Sequence, residues 1–301
     1  MLIGFGLGVG LLVGLTGVGG GSLMTPLLII VAGVSPVTAV GSDLAYAAVT
    51  KTVGGIKHLR QHTVAIRLSC WMAVGSVPAA IGGVYVLEAL QRTQGDDFDE
   101  LLLTIVAAAI LLTGTMTLAR AFFMPKLVEQ ERTGFSLRPW HRVAAVVVGV
   151  FVGFILGMTS AGSGALIAMA LILIFRLIPT RVVGTDVFHA AILLWAAAAA
   201  HIVAGNVDYG LVGTILIGSI PGVWIGSNLT LRVGNSVLRT TLALVLIGAG
   251  LALLSKAGLG IPGLVIAAFP AAIAVMVVNV LLRERRDRRR AAAARDVPAE
   301  T

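Results

Sequence analysis

The chain repeats itself. Slid along its own length by 143 residues without a gap, positions 5–83 meet 148–226 with 23 identities in 79 positions. A composition this biased gives about 8 by chance. The identities are not only leucines: they include Gly14/Gly157, Thr16/Thr159, Gly19/Gly162, Gly21/Gly164, Pro36/Pro179, Gly41/Gly184, Asp43/Asp186, His58/His201, Ser76/Ser219 and Pro78/Pro221. Shared prolines and polar groups at a constant offset mean that one ancestral unit is present twice. Whatever fold the first half adopts, the second half adopts as well.

Hydrophobic residues make up 57% of the 301 positions and charged residues only 12%, too few to wet the surface of a soluble domain of this size. Each half divides into five apolar segments. They fall at 2–16, 22–33, 37–56, 68–87 and 101–122, then at 143–158, 164–175, 182–203, 210–230 and 238–255. An eleventh, 259–282, precedes a tail, 283–301, that opens with RERRDRRR. The expectation is an all-α polytopic membrane protein. Its units are a first repeat at 1–122, a cytoplasmic linker at 123–142, a second repeat at 143–258, the added helix and the basic tail.

An odd number of segments per repeat puts the two copies upside down relative to one another. Loop charges agree. Segment 57–67 is basic while its counterpart 200–210 has one acid and no Lys or Arg; 88–100 is acidic while its counterpart holds Arg232 and Arg239. With every basic loop placed in the cytoplasm, the N-terminus lies outside and the C-terminus inside the plasma (inner) membrane. The tail then meets anionic lipid headgroups, and nucleic acid is an unsuitable partner because no aromatic residues interleave the basic run. One cysteine, Cys70, leaves no disulfide framework and no cysteine-based metal site. No cofactor motif is present, and the enzyme class is set aside.

The first two segments of each half are short for a membrane of about 30 Å. Between them lie TGVGGGS, from Thr16 through Gly19, Gly20 and Gly21 to Ser22, and TSAGSGA, from Thr159 through Gly162, Ser163 and Gly164. These read as helix–turn–helix units that enter the membrane and turn near its middle. Irregular backbone there must line a cavity, and the half-helices that follow present N–H groups and a positive dipole end, a site for an anion. Tight helix packing is the alternative use for the glycines. Thr16, Ser22, Thr159 and Ser163 add hydroxyls.

Asp43 and Asp186, seven residues past their prolines, are intramembrane carboxylates; such groups face a cavity or a partner. They either bind a coupling proton or cap nearby backbone. Lys51 attracts an anion or snorkels to the interface. His58 and His201 share a repeat position, which suggests hydrogen bonding or proton handling, and His189, one turn after Asp186, is placed to pair with it. No metal is expected at histidines on opposite sides of the bilayer.

The GVGGGS turn, Pro26, Pro36, Gly-Ser-Asp at 41–43, His58 ahead of Val64, and Gly-Thr-Asp at 184–186 resemble the sulfite exporter TauE/SafE family. The resemblance implies a secondary transporter for sulfite, a sulfonate or another small anion, and export by alternating access is the expectation. A proton- or sodium-coupled importer and an anion channel remain the other readings.

Overall fold

The computed structural model describes residues 4, 6–11, 21–127, 137–230, 235–266, 268, 271–272 and 275. Helix α1 covers 6–11, and α2 (Gly21–Ile30), α3 (Pro36–Arg60), α4 (Ile66–Gln94) and α5 (Phe98–Leu127) complete the first half. The second half holds α6 (Pro139–Thr159), α7 (Ser163–Leu173), α8 (Pro179–Val203), α9 (Tyr209–Thr230) and α10 (Asn235–Lys256). Among the described residues five helices are long and apolar enough to cross a membrane, and large side chains such as Val143, Val147 and Phe151 on α6 stand exposed. An apolar outer surface belongs against lipid, so the chain is a multi-pass helical membrane protein.

Local sequence explains the element ends. α3 and α8 each open on a proline, where a missing N–H costs nothing, and each runs 25 residues. α2 and α7 are 10 and 11 residues long, only about 15–17 Å at 1.5 Å per residue. Two expectations need correction. α6 is 21 residues, not a short segment, because Pro139 starts the helix before the polar His141 and Arg142; at about 31 Å it crosses a bilayer unaided. The acidic stretch 88–100 is mostly helix, since α4 runs to Gln94 and a three-residue 3-10 turn, Gly95–Asp97, leads straight into α5.

Packing follows the repeat. α3 and α8 cross antiparallel: Gly41 lies on the Asn206 backbone, Trp195 Nε1 donates to Thr52 Oγ1 at 2.9 Å, and Gly184 lies on Thr63. Residues 41, 52 and 63 plus 143 are 184, 195 and 206, so each contact maps onto its own mirror under exchange of halves. α5 and α10 likewise run antiparallel, Gly114 against Ile247 and Gly250 against Leu111. α6 lies parallel to α4 through Gly149 on Met72, Gly153 on Ser76 and Gly157 on Ala80, while α1 meets α9 through Gly6 on Ile215 and Gly10 on Ser219. These seams admit only glycine: a Cβ at Gly153 would stand 2.3 Å from the Ser76 carbonyl oxygen. Hydrogen bonds repeat in the same way. The Ala65 amide donates to Thr185 Oγ1 at 2.9 Å, and the Asp208 amide to Ser42 Oγ at 3.0 Å.

Candidate functional site

The half-helices α2 and α7 begin side by side. α6 ends at Thr159, Ser160 turns left-handed at φ 58°, and Gly162 caps α7 at φ 101°. Ser160 tolerates that conformation at some cost, whereas at Gly162 a side chain would be both strained and crowded against Leu166. The Gly162 amide donates to Ser22 Oγ of α2 at 3.3 Å, joining residues 140 apart. No side chain caps the start of α7. Ser22, Thr159 and Ser160 are all buried.

Asp43 of α3 ties this junction together. Fully buried, its Oδ2 accepts from the Thr25 hydroxyl at 2.6 Å, the Thr25 amide at 3.2 Å and the Ser160 hydroxyl at 2.9 Å. One carboxyl oxygen thus bridges α2 and the turn before α7. Its other oxygen, Oδ1, is buried and has no hydrogen-bond partner among the described residues. One turn along the same face of α3, the Tyr46 hydroxyl reaches toward Ser219 without closing a hydrogen bond.

The two aspartates are therefore not equivalent. Positions matching Thr25 and Ser160 in the other half are Ala168 and Gly17, which carry no hydroxyl. Asp186 is buried but cannot be held as Asp43 is. His189 does not take Asp186 as its described partner; its ring nitrogens meet Ser69 Oγ at 3.4 Å and Ser76 Oγ at 3.2 Å on α4. Tyr46 occupies the repeat position of His189, and Ser219 that of Ser76.

The remaining expected residues divide clearly. Thr159 donates its hydroxyl to the Ile155 carbonyl at 2.6 Å and accepts from the Ala161 amide at 3.2 Å, so it shapes the turn. Ser163 opens α7, Gly164 follows it, and Gly21 is the first residue of α2. Thr16, Gly19 and Gly20, with the tail 283–301, lie outside the described residues. Lys51 is only 7% exposed, so its stem is enclosed by protein and does not snorkel along the outer face. His58 and His201 keep their repeat symmetry. Each bonds the residue five positions on, Thr63 at 3.0 Å and Asn206 at 3.3 Å, and His201 Nε2 also reaches the Gly157 carbonyl at 2.9 Å. They brace helix ends and do not meet Asp43.

Sequence reasoning missed Thr25, Ser160, Tyr46 and Ser69. The available signal was disagreement between the halves: each stands where the other copy has a different residue type. Lys256 is a further missed contact, donating to the Ile29 carbonyl at 2.9 Å. A cation at the last turn of α2 complements its dipole.

Paired half-helices inside a duplicated, all-helical membrane bundle define the class: a polytopic membrane transporter. The family model described as "Sulfite exporter TauE/SafE" matches residues 2–253, and the chain belongs to that family. The "Probable membrane transporter protein YjnA" of Bacillus subtilis (strain 168) is 39% identical over 255 residues, covering 83% of this chain and 97% of that protein. From the same organism, the "Probable membrane transporter protein YdhB" is 26% identical over 246 residues, covering 82% and 96% of the two chains. The "Probable membrane transporter protein YunE" is 20% identical over 255 residues, covering 82% and 92%. No solved structure gives a significant match.

Proposed function

We propose that the chain is a secondary carrier that exports a small anion, sulfite or a sulfonate, across the plasma membrane by alternating access between its two halves. The observation that carries this reading is the junction of α2 and α7, where Gly162 meets Ser22, and Thr25 and Ser160 meet on Asp43. Half-helix starts offer backbone N–H groups and a positive field to an anion, and the family's printed description supplies sulfite as the substrate class. Thr16, Gly19, Gly20, Gly21 and Ser22 would hold it from one side, and Thr159, Gly162, Ser163 and Gly164 from the other. The antiparallel crossings of α3 with α8 and α5 with α10 support an inverted pair of repeats; the basic loops favour an N-terminus outside and a C-terminus in the cytoplasm. An inside-negative potential helps an anion leave by about 2.3 kcal/mol per charge per 100 mV.

The test is counterflow of labelled sulfite in proteoliposomes, with Gly162→Leu alongside. Sulfite on the far side should accelerate flux through the native protein, and the variant should lose at least tenfold. Flux without trans-acceleration would make the protein a channel. Flux of none of sulfite, thiosulfate or methanesulfonate would refute the substrate class.

A further inference from the structure

All three donors to Asp43 fall on one oxygen, and none on the other. An ionised carboxylate shares its charge equally, and buried away from water it gathers donors at both oxygens. A neutral acid has a different need: its carbonyl oxygen accepts, while its O–H seeks an acceptor. The Asp43 pattern is that of the acid, with Oδ2 as the carbonyl oxygen held by Thr25 and Ser160 and Oδ1 as the atom left to bear the proton. No Lys or Arg is hydrogen-bonded to it; the two partners are uncharged.

Charged and titratable residues lie on several of the elements packed against α3. On α3 itself they are Tyr46, Lys51, Lys57, His58 and Arg60; of the three cations Lys51 stands nearest along the helix, eight residues on and about 12 Å along the axis. α2 and the turn from Ser160 to Gly162 carry none. α8 brings Arg181, Asp186, His189 and His201; the start of α9 brings Asp208 and Tyr209; the start of α5 brings Asp99 and Glu100. Of these, His189 and His201 are already engaged by serines and by Gly157 and Asn206.

Resting on the function proposed above, we infer that Asp43 carries the coupling proton on Oδ1 and, as a neutral acid, donates that O–H to the transported anion. Proton and anion then bind together, one to one. Loss of the proton leaves a carboxylate beside the half-helix starts, which repels the anion. Only the Asp43 O–H bond forms and breaks: the proton is gained from water on the side where the anion loads and returned to water on the side where it leaves, so a dianion crosses with one net negative charge.

Thiosulfate keeps its charge from pH 5.5 to 8.5, so calorimetric titration of the purified full-length protein in detergent isolates the protein's own proton. Above the pH at which the unliganded protein loses the Asp43 proton, the native affinity should fall about tenfold per pH unit, and there buffers of different ionisation enthalpy should report one proton taken up per anion. Asp43→Asn places a permanent N–H donor at the Oδ1 position, so it should bind with no pH slope. Native binding that is flat with pH, a slope retained in the variant, or dependence on sodium in place of pH would overturn the inference. If the variant does not fold, zero proton uptake by the native protein overturns it alone. Binding of none of thiosulfate, sulfite or methanesulfonate refutes the substrate class, and this inference falls with it.

Discussion

Gly153→Ala measures the seam that holds the two halves together. The added Cβ would stand 2.3 Å from the Ser76 carbonyl oxygen, 2.6 Å from its Cα and 2.8 Å from its carbonyl carbon, all backbone atoms that cannot rotate away. Relaxed contact lies near 3.5 Å, so α4 and α6 must part by about 1 Å. A gap of that size forfeits about a quarter to a half of each dispersion contact along the seam, including those at Gly149 and Gly157 on Met72 and Ala80. Ser76 also holds His189 at 3.2 Å, a bond worth about 1 kcal/mol. Overpacking of about 1–3 kcal/mol, plus that bond, less about 0.5–1 kcal/mol from alanine's better helix propensity, leaves a net loss of about 2 kcal/mol. Gly82→Ala on α4 is the control, because nothing lies within 4 Å of its added Cβ; it should be neutral or stabilise by up to about 1 kcal/mol. Equilibrium unfolding in mixed micelles, followed by far-UV circular dichroism, reads both. Gly10→Ala, whose Cβ meets the Ser219 carbonyl oxygen at 2.3 Å, should cost about 1 kcal/mol, the same overpacking without a histidine bond to lose. A Gly153 variant as stable as the Gly82 variant would refute the close-packed seam and the packing built on it.

Two further outcomes use the same unfolding measurement. Lys256→Met removes the cation that bonds the Ile29 carbonyl and should destabilise by about 1 kcal/mol; no change would mean that the end of α2 is not held there. Ser76→Ala leaves a buried His189 nitrogen without its serine and should cost about 1–3 kcal/mol. Ser219→Ala removes only a bond to its own helix at Leu216 and should stay within about 0.5 kcal/mol; equal costs would erase the asymmetry between the halves.

The sequence by itself determined the duplication, the helices and the pairing of equivalent positions. Apolar length and the 143-residue offset are one-dimensional properties, and each copy of a unit meets the same local rules. Pro36 and Pro179 start helices of equal length for the same reason, and Gly41 and Gly184 press on matching partners. Identity between copies also selected Asp43 and Asp186 together, without recording how their surroundings differ. What separates them is a set of hydroxyls at positions where the copies differ, Thr25 against Ala168 and Ser160 against Gly17. Comparison by identity discards such positions. Ser160 reaches Asp43 across 117 residues, and hydropathy records that a segment is buried without recording what it is buried against. The enclosure of Lys51 and the reach of Lys256 to Ile29 were hidden for that reason too. Only the tertiary packing decided which aspartate meets the half-helices, because a hydrogen bond depends on where two side chains end in space, and a repeat constrains that only as far as both copies keep the same atoms.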